Sequence, residues 1–147
     1  RVGQHCPENG RHPQATDASA IMSGILIDTS VWVAHFRQHN AALATLLASD
    51  QALTHPMVLG ELACGTPPER KRTLSDLALL QPAQQASLHE VMDFIDREQL
   101  YGLGCGLVDM ILLASTLLTP GASLWTLDKR LADLAARFKV AHQAPRH

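Results

Sequence analysis

Short apolar runs alternate along this chain with stretches of helical period. Gly24-Ile-Leu-Ile27 is an apolar run that stops at Asp-Thr-Ser, the form of a parallel strand buried on both faces. Ser30 is placed to cap a helix starting at Val31, and Ala41–Ser49 is a second helical stretch. Gln51–Thr54 reads as a weak strand. Pro56 suits the first turn of a helix running to about Cys64, with Gly65 as its stop. Pro67-Pro68 breaks the chain before a helix from about Glu69 to Leu80, and Pro82 closes that region. Leu88, Val91, Met92, Ile95 and Leu100 recur at helical spacing within 87–100. Gly102, Gly104 and Gly106 form a flexible junction before the apolar helix Leu107–Leu118. Pro120-Gly121 is a turn, Ser123–Leu127 a strand, Asp128–Phe138 an amphipathic helix, and Lys139–Ala141 a candidate edge strand. There is no internal repeat. Alternation of this kind predicts one α/β domain, a parallel sheet flanked by helices.

Residues 1–22 break the pattern. Arg1–Ala20 is polar and rich in Gly and Pro, with no hydrophobic period, and reads as a disordered leader, extension or start-site artefact, with Met22 as a candidate initiator. The domain is expected over 23–143, with 144–147 as a tail. Cys6 with His5 and His12 reads as a solvated tail in preference to a metal site. Aromatic residues make up 4% of the 147 residues against 46% hydrophobic, so aliphatic side chains must fill the core. Three cysteines without a CxxC pair point to reduced thiols and a cytoplasmic location. No run is apolar and long enough to span a bilayer, and the N-terminus lacks the apolar centre of a signal peptide. The formal charge of −2 argues against binding nucleic acid through net positive charge. It leaves room for a nuclease in which a divalent ion supplies that charge locally.

Four carboxylates sit where apolar residues are expected. Asp28 closes the first strand, and Asp128 closes Leu124–Leu127. Glu61 interrupts Met57–Cys64, and Asp109 opens the most apolar helix. In an open α/β sheet the strand C-termini meet at one edge, where crevices form, so these acids are candidates to converge there. Clustered carboxylates repel one another unless a cation intervenes, and hard oxygen ligands suit Mg²⁺ or Mn²⁺. Each acid also has a plain alternative. Asp28 and Asp128 can cap the helices that follow them, Asp109 can favour a helix N-terminus, and Glu61 can face water beside Thr66 or pair with Arg70.

The segments Ile-Leu-Ile-Asp28-Thr-Ser-Val-Trp32, Gly-Glu61-Leu-Ala, Gly-Leu-Val-Asp109-Met-Ile-Leu-Leu-Ala-Ser and Leu-Trp-Thr-Leu-Asp128-Lys-Arg-Leu, in this order, resemble the PIN-domain family. Within it they are most similar to VapC-type toxins of prokaryotic toxin–antitoxin pairs. The resemblance spans about Ser23 to Ala141. It implies a three-layer α/β fold and a Mg²⁺- or Mn²⁺-dependent endoribonuclease, in which metal-activated water cleaves RNA to 5′-phosphate and 3′-hydroxyl ends. It implies Asp28 and Asp109 as direct metal ligands, with Glu61 and Asp128 completing the catalytic set. Ser30 and Thr126 stand where the family often has hydroxyls that orient the acids. The implied partners are an RNA substrate (a tRNA loop first, a ribosomal RNA loop as competitor), a small VapB-like antitoxin and a second copy of the chain.

Phosphate contacts are sought in Arg70-Lys71-Arg72 and Lys129-Arg130, for which a solvated basic helix end is the ordinary alternative. Trp32 and Trp125 adjoin core strands and are read as core, or for Trp32 a partner interface, in preference to base stacking. His35, His39, His55 and His89 are read as surface residues. Two other functions compete: an inactive PIN-like binding module, and a phosphatase using Asp28 as nucleophile. The second requires another Asp two residues on, where this chain has Ser30.

Overall fold

The computed structural model describes residues 24–143. The leader, its candidate Cys6/His5/His12 site and the tail lie outside them. The strands are β1 (Ile25–Ile27), β2 (Ala52–Thr54), β3 (Gln81–Pro82) and β4 (Ser123–Trp125). The helices are α1 (Thr29–Arg37), α2 (Ala41–Ala48), α3 (Pro56–Ala63), α4 (Arg70–Leu77), α5 (Leu88–Glu98), α6 (Leu107–Leu118) and α7 (Lys129–Arg137). The strands pair in parallel in the order β3-β2-β1-β4, with Ile25 beside Ala52 on one side and Ser123 on the other. This is the expected α/β architecture.

The order positions the site. The chain steps outward from β1 to β2 to β3 and then returns to place β4 on the opposite flank of β1. Right-handed crossovers must change faces when the direction of travel reverses. The β1/β4 boundary is therefore the topological switch point, where a crevice opens beyond the strand C-termini. Leu26 and Leu124, paired across that boundary, are almost fully buried. Helix α6 packs on β4, α5 and α7, which explains its lack of a polar face: Met110 to Thr116 are all buried.

Several boundaries differ from expectation. Asp28, not Ser30, occupies the N-cap position of α1, and Ser30 lies inside its first turn. The Glu69–Leu80 helix shrinks to α4 at both ends: Glu69, with a left-handed φ of 45°, is its N-cap, and after Leu77 the Leu79 and Leu80 N–H groups turn back to the Asp76 and Leu77 carbonyls. Gln81-Pro82, read as a terminator, forms the edge strand β3, where proline's missing N–H costs no ladder bond on the open side. The C-terminal edge strand reduces to a parallel bridge between Leu124 and Ala141. Trp32 and Trp125 are core residues, 2% and 4% exposed. Among the described residues, no helix is long and apolar enough to cross a membrane.

Candidate active site

The site begins where β1 ends. Asp28 donates its N–H to the Trp125 carbonyl at 2.9 Å, continuing the β1–β4 pairing one residue beyond the strand. The residue is 6% exposed, and a carboxylate so placed needs hydrogen-bond partners. Both donors are hydroxyls acting on one oxygen: Ser30 Oγ at 2.6 Å and Thr126 Oγ1 at 2.7 Å to Asp28 Oδ2. Each hydroxyl also accepts a backbone N–H, Leu127 to Ser30 and Asp128 to Thr126, both at 3.0 Å. The expected supporting role of this pair thus has a physical form. The hydroxyls lock the Asp28 rotamer and fasten the β4–α7 turn to it, while neutral donors leave the charge on Asp28 uncancelled.

Asp128 does cap its helix, Oδ1 accepting the Leu131 N–H at 3.0 Å, and the same geometry brings its carboxylate to the turn held by Thr126. Asp109 lies in the first turn of α6, half-buried, with Oδ2 accepting the Gly106 N–H at 3.3 Å. Glu61 is exposed, as its water-facing alternative expected, and does not pair with Arg70. Its Oε1 accepts the Thr29 hydroxyl at 2.6 Å, across the α1–α3 contact. Arg70 instead donates to the Ala63 and Gly65 carbonyls at the end of α3. Sequence reasoning missed Thr29, whose only signal was its place directly after Asp28.

Electrostatically the four acids form one group. The Asp109 carboxyl is pushed above the ordinary carboxylate range, first by burial and then by Asp28, Asp128 and Glu61, with the Gly106 N–H pulling the other way. Among the described residues, none of the four forms an ion pair. They do not form a closed cage: among the described residues, no three His, Cys, Asp or Glu side chains stand close enough to hold one ion. The fit to a divalent cation is therefore one of charge and donor type, with hard oxygens held by neutral donors and shared repulsion awaiting a counter-charge. Beside Glu61, a groove of about 470 Å³ runs between α1 and α3, lined by Thr29, Val33, Phe36, Leu62 and Pro67.

Thr126→Val removes one of the two donors to Asp28 at nearly constant volume. The expected result is a 10- to 100-fold fall in activity, on the order found when a ligand-orienting partner is lost. Stability should fall by about 1–3 kcal/mol, the cost of under-bonding a buried charged group. Melting curves and turnover on the same preparation check both.

The surface assignment fails for His55, which is 2% exposed and lies at the N-cap of α3. It is a structural residue outside the acidic group.

The PIN domain family model matches residues 25–137. Ribonuclease VapC32 of Mycobacterium tuberculosis, in strains CDC 1551 / Oshkosh and ATCC 25618 / H37Rv, is 44% identical over 117 residues, covering 80% of this chain and 94% of the relative.

Proposed function

The chain belongs to the PIN-domain family, and from that premise we propose that Asp28, Glu61, Asp109 and Asp128 are the active site of a VapC-type toxin endoribonuclease. The observation that carries this reading is the group of four carboxylates, without cationic partners, at the β1/β4 switch point. An acidic group there costs stability and repels phosphate, so it is sensible only if a cation joins it.

Asp28 and Asp109 would hold Mg²⁺ or Mn²⁺, and Glu61 and Asp128 would complete the acidic set by binding the metal, its waters or a second ion. The ion supplies positive charge for the phosphate oxygens and a lowered pKa for water. The chain's own residues do the positioning. Ser30 and Thr126 fix Asp28, Thr29 fixes Glu61, the Gly106 N–H holds Asp109, and the α7 cap holds Asp128. The substrate is taken as a single-stranded RNA loop, the usual target of sequence-specific RNA recognition, with a tRNA loop first on the family likeness. The domain is taken as 23–143 and its location as the cytoplasm. The partners are a second copy of the chain and a small antitoxin. The α1–α3 groove, lined by Val33, Phe36, Leu62 and Pro67 and carrying both Arg37 and Glu61, suits an antitoxin segment that sets a basic side chain among the acids.

Purified protein incubated with total RNA in Mn²⁺ is expected to give discrete fragments that vanish in EDTA and with Asp28→Asn. Identical traces in every lane would sink the nuclease and leave a PIN-fold binding module. A phosphoenzyme trapped on Asp28 would favour the phosphatase.

A further inference from the structure

RNA must approach a site that is itself acidic, on a chain whose formal charge is −2. Some local cation has to hold the phosphates. In the Arg70–Arg72 run, Arg70 closes the end of α3, and Arg72 reaches Glu69 at 3.7 Å and Asp76 at 3.9 Å, while Lys71 and, in the groove beside Glu61, Arg37 are exposed and form no ion pair among the described residues. Lys129 lies 3.5 Å from Asp133. Arg130 is exposed and, among the described residues, forms no ion pair.

Its position is nevertheless defined. Gly104 has a φ of +89°, and a methyl group added there would fall 2.7 Å from Arg130 Nη1, 2.9 Å from Cδ and 3.0 Å from Cζ. The Arg130 side chain therefore lies over the Gly104 backbone, in the space a Cβ would fill and at a φ that favours glycine. Arg130 also shares the surroundings of Cys105 with Asp109 and Asp128: the Cys105 thiol is pushed up first by burial and then by these two acids, while Arg130 opposes them. Finally, Arg130 sits in the first turn of α7, where the helix dipole disfavours a cation. An arginine seated on a glycine and placed against the dipole, with no ion pair among the described residues, is not explained by a salt bridge of the fold. Its charge together with the helix N-terminus makes a local positive spot beside the acids.

We infer that Arg130, seated on the Gly104 backbone at the rim of the acidic site, binds a phosphate of the substrate RNA and sets the strand's register over the carboxylates. The inference rests on the ribonuclease reading. Arginine suits the role because its planar fork grips two phosphate oxygens at once. As a binding contact outside the carboxylate group, it should act on substrate capture more than on turnover.

The test compares the full chain with Arg130→Gln and Arg130→Lys, on a labelled single-stranded oligoribonucleotide of about 12 nucleotides. Binding is measured in an Asp28→Asn background, and cleavage with Asp28 intact. Arg130→Gln is expected to weaken binding about tenfold and to lower the slope of log affinity against log salt by about 0.7, the loss of one phosphate contact. In cleavage the change should fall on KM. Arg130→Lys should keep the salt slope while losing part of the affinity. Equal binding and equal slopes for the parent and Arg130→Gln, with the Asp28-containing parent cleaving normally, overturn the inference alone. So does a loss confined to kcat. A parent chain that neither binds nor cleaves RNA overturns the ribonuclease reading, and this inference with it.

Discussion

Asp109→Asn is expected to abolish ribonuclease activity and, in EDTA, to raise the melting temperature. The loss of activity should reach on the order of a thousandfold, as for removal of a group that acts directly on developing charge. The gain in stability has a separate origin. Asp109 is held above the ordinary carboxylate range by burial and by three neighbouring acids. A carboxyl whose folded pKa exceeds its unfolded one penalises the fold at every pH above that raised value, and the penalty is relieved only as pH falls through it. Asparagine removes the charge at neutral pH and can still accept the Gly106 N–H.

Added Mg²⁺ or Mn²⁺ should reverse the order. A ligand that binds only the folded state stabilises it by mass action, so the parent should gain stability with metal concentration and Asp109→Asn should gain little. Melts in EDTA and across a metal titration, beside an RNA cleavage assay, check the whole pattern. A variant that is inactive and also less stable in EDTA would mean that Asp109 is a structural acid. A parent whose melting ignores metal would remove the basis for placing a cation among these carboxylates.

The site was legible in outline because each acid offends a local rule. Asp28 ends a run that should stay apolar, Glu61 and Asp109 interrupt helices that pack inward, and Asp128 begins an amphipathic helix directly after a strand. The supporting contacts were only partly legible. Thr29 meets Glu61 across 32 positions, and Arg130 meets Gly104 through a left-handed turn, pairings set by the fold and not by any neighbouring pattern. The fold shows the same division. The β1 run and α6 announced themselves by composition, whereas β3 is two exposed residues with no hydrophobic signal, visible only through its pairing to β2. The strand expected over 123–127 stops at Trp125 because its partner β1 ends opposite it at Ile27, and the Leu127 and Asp128 N–H groups go to the Ser30 and Thr126 hydroxyls.

His55 illustrates a different failure, since a histidine before a proline looks like a surface turn yet here joins three elements. Its Nδ1 accepts the Met57 N–H at 3.0 Å, capping α3, which assigns the proton to Nε2. Nε2 then donates to Ser115 Oγ on α6 at 3.0 Å, and that oxygen also accepts the Ala86 N–H at 3.0 Å. His55→Ala should therefore cost about 3 kcal/mol, combining a lost cap, a lost hydrogen bond and a partly filled cavity. For a domain of this size that is a fall of roughly 10 °C in Tm. His55→Asn, which restores the cap but cannot fill the ring's volume, should recover about 1 kcal/mol.

The pH dependence follows from the same geometry. Burial holds the His55 imidazole below the ordinary histidine value, and His35 and His142 are lowered by burial too, His35 also by His39. In the window below about 6.5 the unfolded chain takes up protons on these histidines that the native chain refuses, so their contribution to stability is full above that pH and falls as the solution is acidified. Protonation of Nδ1 also deprives the Met57 N–H of its acceptor. Replacing His55 with Asn should flatten part of that acid slope while His35 and His142 keep the remainder. Circular-dichroism melts from pH 7.5 down to about 5 separate these outcomes. An unchanged slope in His55→Asn would mean that His55 is not the group that refuses the proton.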